Sequence, residues 1–163
     1  MAFIDGQNLH LGTKRDGWAI DHVRFRVYLK EKYEIIEAYY FLGFISDKEQ
    51  RLYDLLKEAG FTLIHKEHLP TLRAAKKGNV DSDIIFEVMK KLVENEPVRK
   101  IFIISGDGDY KKLVDFLVSK ELFGKILFPN KKSISSLYFN MGSELFDYLG
   151  ETDIRAKIEY AHK

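Results

Sequence analysis

Four aspartates stand where apolar runs end or helical patterns begin. Asp5 closes Ala2-Phe3-Ile4, and Asp107 follows Ile101-Phe102-Ile103-Ile104 by way of Ser105-Gly106. Asp109 comes two residues later, and Asp81 opens an amphipathic segment. If the first and fourth runs are neighbouring strands, Asp5 and Asp107 face each other across one cleft. Carboxylates that close repel, and one takes up a proton unless a divalent cation neutralises the group. No His or Cys accompanies these aspartates in their motifs. An all-oxygen donor set selects Mg²⁺ or Mn²⁺ over zinc. Such an ion polarises a phosphoryl oxygen and activates water, so the chemistry indicated is phosphodiester hydrolysis.

Each aspartate also has a plainer reading. Asp109 is a good helix N-cap. Asp107 in Gly106-Asp107-Gly108 and Asp5 before Gly6 suit turns, and Asp81-Ser82-Asp83 could be a capping cluster. Spacing favours more for Asp81. It lies three, four and seven residues before Ile84, Ile85 and Val88, positions that share a helix face. Asp81 therefore extends the buried stripe, where a lone carboxylate is costly unless paired, whereas Asp83 is expected to face solvent.

Basic residues surround the acidic motifs. Arg73, Lys76 and Lys77 precede Asp81, and Lys111 and Lys112 follow Asp109. Lys14 and Arg15 follow the first motif, and Lys131 and Lys132 follow the fifth apolar run. A carboxylate centre ringed by Lys and Arg suits a polyanion; equally, such residues can simply line solvated loops. The five His are scattered, and Gly106-Asp107-Gly108-Asp109 is no phosphate loop, since no Gly-Lys-Ser/Thr follows.

The elements that must position these groups alternate. Strand-like runs cover residues 2–4, 35–44, 61–65, 101–104 and 125–128. Helical patterns cover 21–32, 47–59, 82–94 and 110–119, with weaker ones at 134–139 and 154–162. Apolar strands alternating with helices imply βαβ units and a mainly parallel sheet covered on both faces. Ligand sites in such sheets lie beyond the carboxyl ends of the strands, where the aspartates are.

Composition bounds the rest. The 163 residues suit one domain, expected over 1–150, with a helical extension over 151–163 packed on it or trailing from it. Absence of Cys excludes a disulfide framework, a thiolate nucleophile and a zinc ribbon. The net charge of +1 decides nothing about nucleic acid; only the distribution of charge can. No signal peptide and no membrane-length apolar run is visible, so a cytoplasmic protein without membrane contact is expected. The aromatic share of 13% is compatible with a homodimer.

Three motifs in order resemble one family. Phe3-Ile4-Asp5-Gly6-Gln7-Asn8-Leu9 resembles the opening strand and turn of the NYN domain, the LabA-like branch of the PIN-domain ribonucleases. Lys77-Gly78-Asn79-Val80-Asp81 with Ser82-Asp83-Ile84 resembles its central helix motif. Ser105-Gly106-Asp107-Gly108-Asp109-Tyr110 resembles its Ser-Gly-Asp-x-Asp-Phe/Tyr motif, and Glu144-Leu145-Phe146 its closing element. The resemblance implies a PIN-like three-layer α/β/α sandwich with strand order 3-2-1-4-5. It implies a Mg²⁺- or Mn²⁺-dependent endoribonuclease acting on single-stranded RNA, with Asp5, Asp81, Asp107 and Asp109 as the acidic site. Asn8 would orient Asp5 or a water, and Arg73, Lys76, Lys77, Lys111 and Lys112 would hold the substrate. A non-catalytic RNA-binding module on the same fold is the alternative. A receiver-type signalling domain ranks lower: it wants an acidic pair after the first strand and an Asp after the third, where this chain has His65-Lys66-Glu67-His68.

Overall fold

A computed structural model describes residues 1–43, 45–66, 80–94 and 100–160. Arg73, Lys76, Lys77 and the Lys77-Gly78-Asn79 part of the central motif lie outside the described residues, as do His68 and His162. The elements run β1 (Ala2–Asp5), α1 (Gly6–Arg15), α2 (His22–Tyr33), β2 (Ala38–Leu42), α3 (Gln50–Glu58) and β3 (Thr62–His65). They continue with α4 (Asp81–Val93), β4 (Ile101–Ile104), α5 (Lys111–Ser119), β5 (Phe123–Phe128), β6 (Phe146–Tyr148) and α6 (Thr152–Ile158).

The strands form one sheet in the order β3-β2-β1-β4-β5-β6, and every pairing is parallel. The mixed α/β architecture and the expected 3-2-1-4-5 core are both present. The central strand β1 has only four residues, yet all four are buried because β2 and β4 pair with it on either side. A receiver-type order would bring the third strand beside the first; here β4 holds that place.

Alternation along the strands divides the core into two layers. Ala2, Ile4, Tyr40, Phe102 and Ile104 face one side, where Leu9 of α1, Phe25 and Leu29 of α2, Leu56 of α3 and Ile158 of α6 pack on them. Phe3, Tyr39, Phe41, Ile101 and Ile103 face the other, against Ile84 and Val88 of α4 and Leu113, Val114 and Leu117 of α5. The terminal segment is part of this core: Ile158 is fully buried and α6 packs on α2. Among the described residues no helix is long and apolar enough to cross a membrane.

Three elements depart from the sequence reading. Helix α1 begins directly at the end of β1, where Asp5-Gly6 had suggested a turn. Its buried stripe is Leu9, Gly12 and Thr13, which carries too few apolar side chains to show a helical period. A sixth strand of only three residues extends the sheet beyond β5. The helical pattern at 134–139 is a 3₁₀ turn, Ser136–Tyr138, capped by the Ser135 hydroxyl.

Candidate active site

β1 and β4 end side by side, and each delivers an aspartate to the same edge. Asp5 is the last residue of β1 and also the N-cap of α1, its Oδ1 accepting from the Asn8 backbone N–H at 2.9 Å. With no loop between strand and helix, the carboxylate is held between the two elements. Gly6 makes this join possible: a Cβ there would lie 2.5 Å from Tyr40 Cε1 and 2.7 Å from the Phe41 carbonyl oxygen.

Asp81 opens α4 and is 7% exposed, in line with the fully buried Ile84 and Val88 as the spacing required. Asp83 is partly exposed. Asp107 follows β4, and its Oδ1 accepts from the Asp109 backbone N–H at 3.0 Å. The cap of this turn is therefore Asp107, not Asp109, which leaves the Asp109 carboxylate exposed and directed by the turn. One oxygen each from Asp81, Asp107 and Asp109 lies within 4.8 Å of the others. That spacing and all-oxygen donor set fit a hard divalent cation.

Asp5 joins the cluster through Tyr110. The Tyr110 hydroxyl reaches Asp81 Oδ1 at 2.5 Å and Asp5 Oδ2 at 3.3 Å. Its ring is fully buried in the layer below, so the phenol rises from the core between two carboxylates. Burial pushes the Asp5 carboxyl up to about 6, with the Asp81 charge adding to it and the Asn8 N–H opposing it. The neighbouring charges of Asp107 and Asp81 raise the Asp109 carboxyl as well. Burial and the Asp5 charge hold the Tyr110 hydroxyl firmly protonated.

The loop after β4 is fixed from both sides. The Asn8 side-chain Oδ1 accepts from the Gly106 N–H at 2.9 Å, so that amide ties α1 to the β4 loop while the Asn8 backbone N–H donates to Asp5. Ser105 Oγ accepts from the Asp107 N–H, and the Tyr138 hydroxyl donates to the Asp107 carbonyl at 2.8 Å. Gly108 lets the strap after β5 close down, since a Cβ there would meet Ser135 Oγ at 2.4 Å.

Two connected clefts open over these groups. One, of about 260 Å³, is lined by Asp5, Asn8, Leu11, Asp81 and Asp107. The other, of about 520 Å³, shares Asn8, Leu11 and Asp107 with it and runs on to Arg15, Asp109, Lys132 and Ser133. Lys111 and Lys112 line neither; Lys111 is paired with Asp115 one turn along α5. Sequence reasoning therefore missed Tyr110, Tyr138 and Ser105 as supports. The sequence places Arg15 and Lys132 in the basic ring around the acidic motifs without aiming either at the cleft. The aromatic residue immediately after the acidic pair was the one available signal for Tyr110.

Known proteins share parts of this sequence and its fold. The family model described as the NYN domain matches residues 1–139. The chain is 27% identical over 129 residues to the low amplitude and bright protein LabA of Synechococcus elongatus, spanning 73% of this chain and 67% of that one. A solved structure of a protein of unknown function from Vibrio parahaemolyticus superimposes with a TM-score of 0.75 at 18% identity, over 98% of this chain and 94% of that one. That last likeness is one of fold alone.

Proposed function

The chain belongs to the NYN domain family, and from that premise we propose that it is a divalent-metal-dependent endoribonuclease cleaving single-stranded RNA. The observation that carries the reading is the set of Asp81, Asp107 and Asp109 oxygens within 4.8 Å of one another, at the end of an open cleft bearing Arg15 and Lys132. Asp5, Asp81, Asp107 and Asp109 would hold Mg²⁺ or Mn²⁺. Bound there, the ion would supply charge stabilisation at the scissile phosphate.

The chain's own groups do the remainder. Arg15 and Lys132 replace Lys111 and Lys112 as the cleft's cations, and they receive backbone phosphates on one side of the scissile bond. Tyr110 keeps Asp5 and Asp81 at fixed separation by filling the space between them with one hydroxyl. Asp81 then presents an acceptor for the water that attacks the phosphorus in line with the leaving oxygen. Asn8 holds the Gly106 N–H, and with it Asp107, in place as the strand is drawn across.

Purified protein incubated with RNA and DNA oligonucleotides, in Mg²⁺, Mn²⁺ or chelator, tests the reading. Cleavage of RNA should require the metal. Asp107→Asn should lower it by orders of magnitude, because a neutral amide holds a divalent cation poorly. Cleavage that persists in excess chelator would falsify the metal mechanism. RNA binding without cleavage in any metal would identify a non-catalytic RNA-binding module on this fold.

A further inference from the structure

Two leucines stand exposed in the clefts over the carboxylates. Leu11 of α1 is 44% exposed and lines both clefts. Leu137, on the strap after β5, is 59% exposed and lines the larger one. Exposed leucines are ordinary when scattered over a surface. These two are not scattered: the backbone fixes both beside the acidic loop.

Helix α1 places Leu11. Asn8, Leu11 and Arg15 are spaced by three and then four residues, so they form one stripe of the helix, and all three line the larger cleft. Leu11 stands between the Asn8 amide, which accepts from the Gly106 N–H, and the guanidinium beyond it. Asn8 and Arg15 are about 10 Å apart along the helix axis. That leaves room for a nucleoside between a phosphate at the carboxylates and a phosphate at Arg15.

The strap places Leu137. The Ser135 N–H donates to the Gly106 carbonyl at 3.0 Å, and the Tyr138 hydroxyl donates to the Asp107 carbonyl at 2.8 Å. Leu137 lies between these two anchors. A Cβ on Gly108 would lie 3.0 Å from Leu137 Cδ1, so the side chain covers the residue between Asp107 and Asp109.

The neighbouring charges choose the occupant. Arg15 and Lys132 line the same cleft, and neither has an ion-pair partner among the described residues. An alkyl chain would meet the leucines and leave both cations unused. A bare polyphosphate would meet the cations and leave the leucines in water. A nucleic acid strand alternates phosphates with bases and meets both. In a duplex the bases are stacked and paired, and taking one out costs free energy, so the fit is to an unpaired base. The leucine side chains carry no donor or acceptor, and hydrogen bonds to base edges are what distinguish one base from another.

We propose that Leu11 and Leu137 form the seat of the unpaired base next to the scissile phosphate, and that they make the cleft select single strands without reading which base is present. The position of the scissile phosphate rests on the RNA-cleaving reading above; the apolar contact with an unpaired base is tested apart from cleavage.

The full chain, in chelator, is titrated with labelled short oligoribonucleotides of A, C or U, with a duplex of the same length, and with a base-free ribose-phosphate chain of that length. Wild type should bind each single strand at least fivefold more tightly than the base-free chain. Leu11→Ser with Leu137→Ser should weaken binding of all three single strands at least fivefold and binding of the duplex less than twofold. It should also bring the single strands to within twofold of the base-free chain. Leu11→Met with Leu137→Met keeps the apolar surface and should bind as wild type does, which separates lost contact from a damaged fold. A serine variant that still favours strands with bases overturns the proposal, and so does a loss confined to one base or a methionine variant as weak as the serine one. Leucine-dependent binding without cleavage in any metal overturns the nuclease reading alone. Metal-dependent cleavage with binding indifferent to both leucines overturns this proposal alone.

Discussion

Asp5 serves as helix cap and as site carboxylate at once, and the two roles pull its protonation in opposite directions. The Asn8 N–H favours the ionised form, but burial dominates and lifts the carboxyl to about 6. An acid whose folded pKa exceeds its unfolded value contributes no penalty below about 4, where both states are protonated. Between about 4 and about 6 the unfolded chain loses the proton first, so stability falls as pH rises through that window. A shift of about two units corresponds to about 3 kcal/mol. Asp5→Asn keeps an acceptor for Asn8 and removes the charge. In metal-free protein, the stability of this variant relative to wild type should therefore rise by about that amount between pH 4 and pH 7, read from urea unfolding. A difference that does not vary with pH would mean that Asp5 is solvated. Residue types and spacing brought the four aspartates to one edge without the structure. Tyr110 was legible only as the aromatic residue after the acidic pair: nothing in the spacing says that its phenol rises between Asp5 and Asp81.

At the scale of elements, α1 decides where Asp5 points and which of its cations lines the cleft. Alanine in place of Gly6 would gain about 1 kcal/mol of helix propensity at most. Its methyl would, however, meet the Tyr40 ring and the Phe41 carbonyl of a central strand, neither free to retreat. Overpacking of this kind costs about 1–3 kcal/mol, so Gly6→Ala should lower the denaturation midpoint and reduce cleavage together. An unchanged midpoint would show that α1 lifts from the sheet without penalty. The helix was hidden in the sequence because Gly6, Gly12 and Thr13 give it a backbone-close stripe rather than an apolar period. With α1 unread, Arg15 had no assigned direction, and nearness in sequence favoured Lys111 and Lys112 instead. Arg15 and Lys132 line the larger cleft, and on the proposed reading they are the cations to test first. Arg15→Ala with Lys132→Ala should lower the salt-dependence slope of RNA binding in chelator by ~0.7 per lost phosphate contact. Lys111→Ala should leave the slope unchanged, since Asp115 already holds that ammonium. The opposite pattern would return the substrate to the face of α5.

For the whole molecule, the alternation of strands with helices sufficed to place a parallel sheet between two helical layers. The pairing of β1 with β4 came from the motifs, because periodicity carries no information on strand order. β6 stayed unread since three half-buried residues show no pattern of their own; β5 and the strap that follows it place them. This architecture concentrates charge at one edge, and the consequence can be measured without substrate. Unit charges some 5 Å apart, as in a cluster whose oxygens lie within 4.8 Å of one another, repel by about 3 kcal/mol at an effective dielectric of ~20, before protonation and relaxation reduce it. A cation that binds only the folded state adds about 2.7 kcal/mol at 100 times its dissociation constant. For a domain of this length, that corresponds to a rise of roughly 5–10 °C in Tm. Mn²⁺ or Mg²⁺ should therefore raise the Tm of the wild type. Asp107→Asn separates charge from hydrogen bonding, because an amide oxygen can still accept the Asp109 N–H that caps the turn. That variant should melt at or above the metal-free wild type and gain much less from metal. Asp83→Asn, one turn-edge away and partly exposed, should keep the metal response. Clear destabilisation of the metal-free protein by Asp107→Asn would make Asp107 a turn residue whose charge the fold requires, and the acidic edge would then be structural.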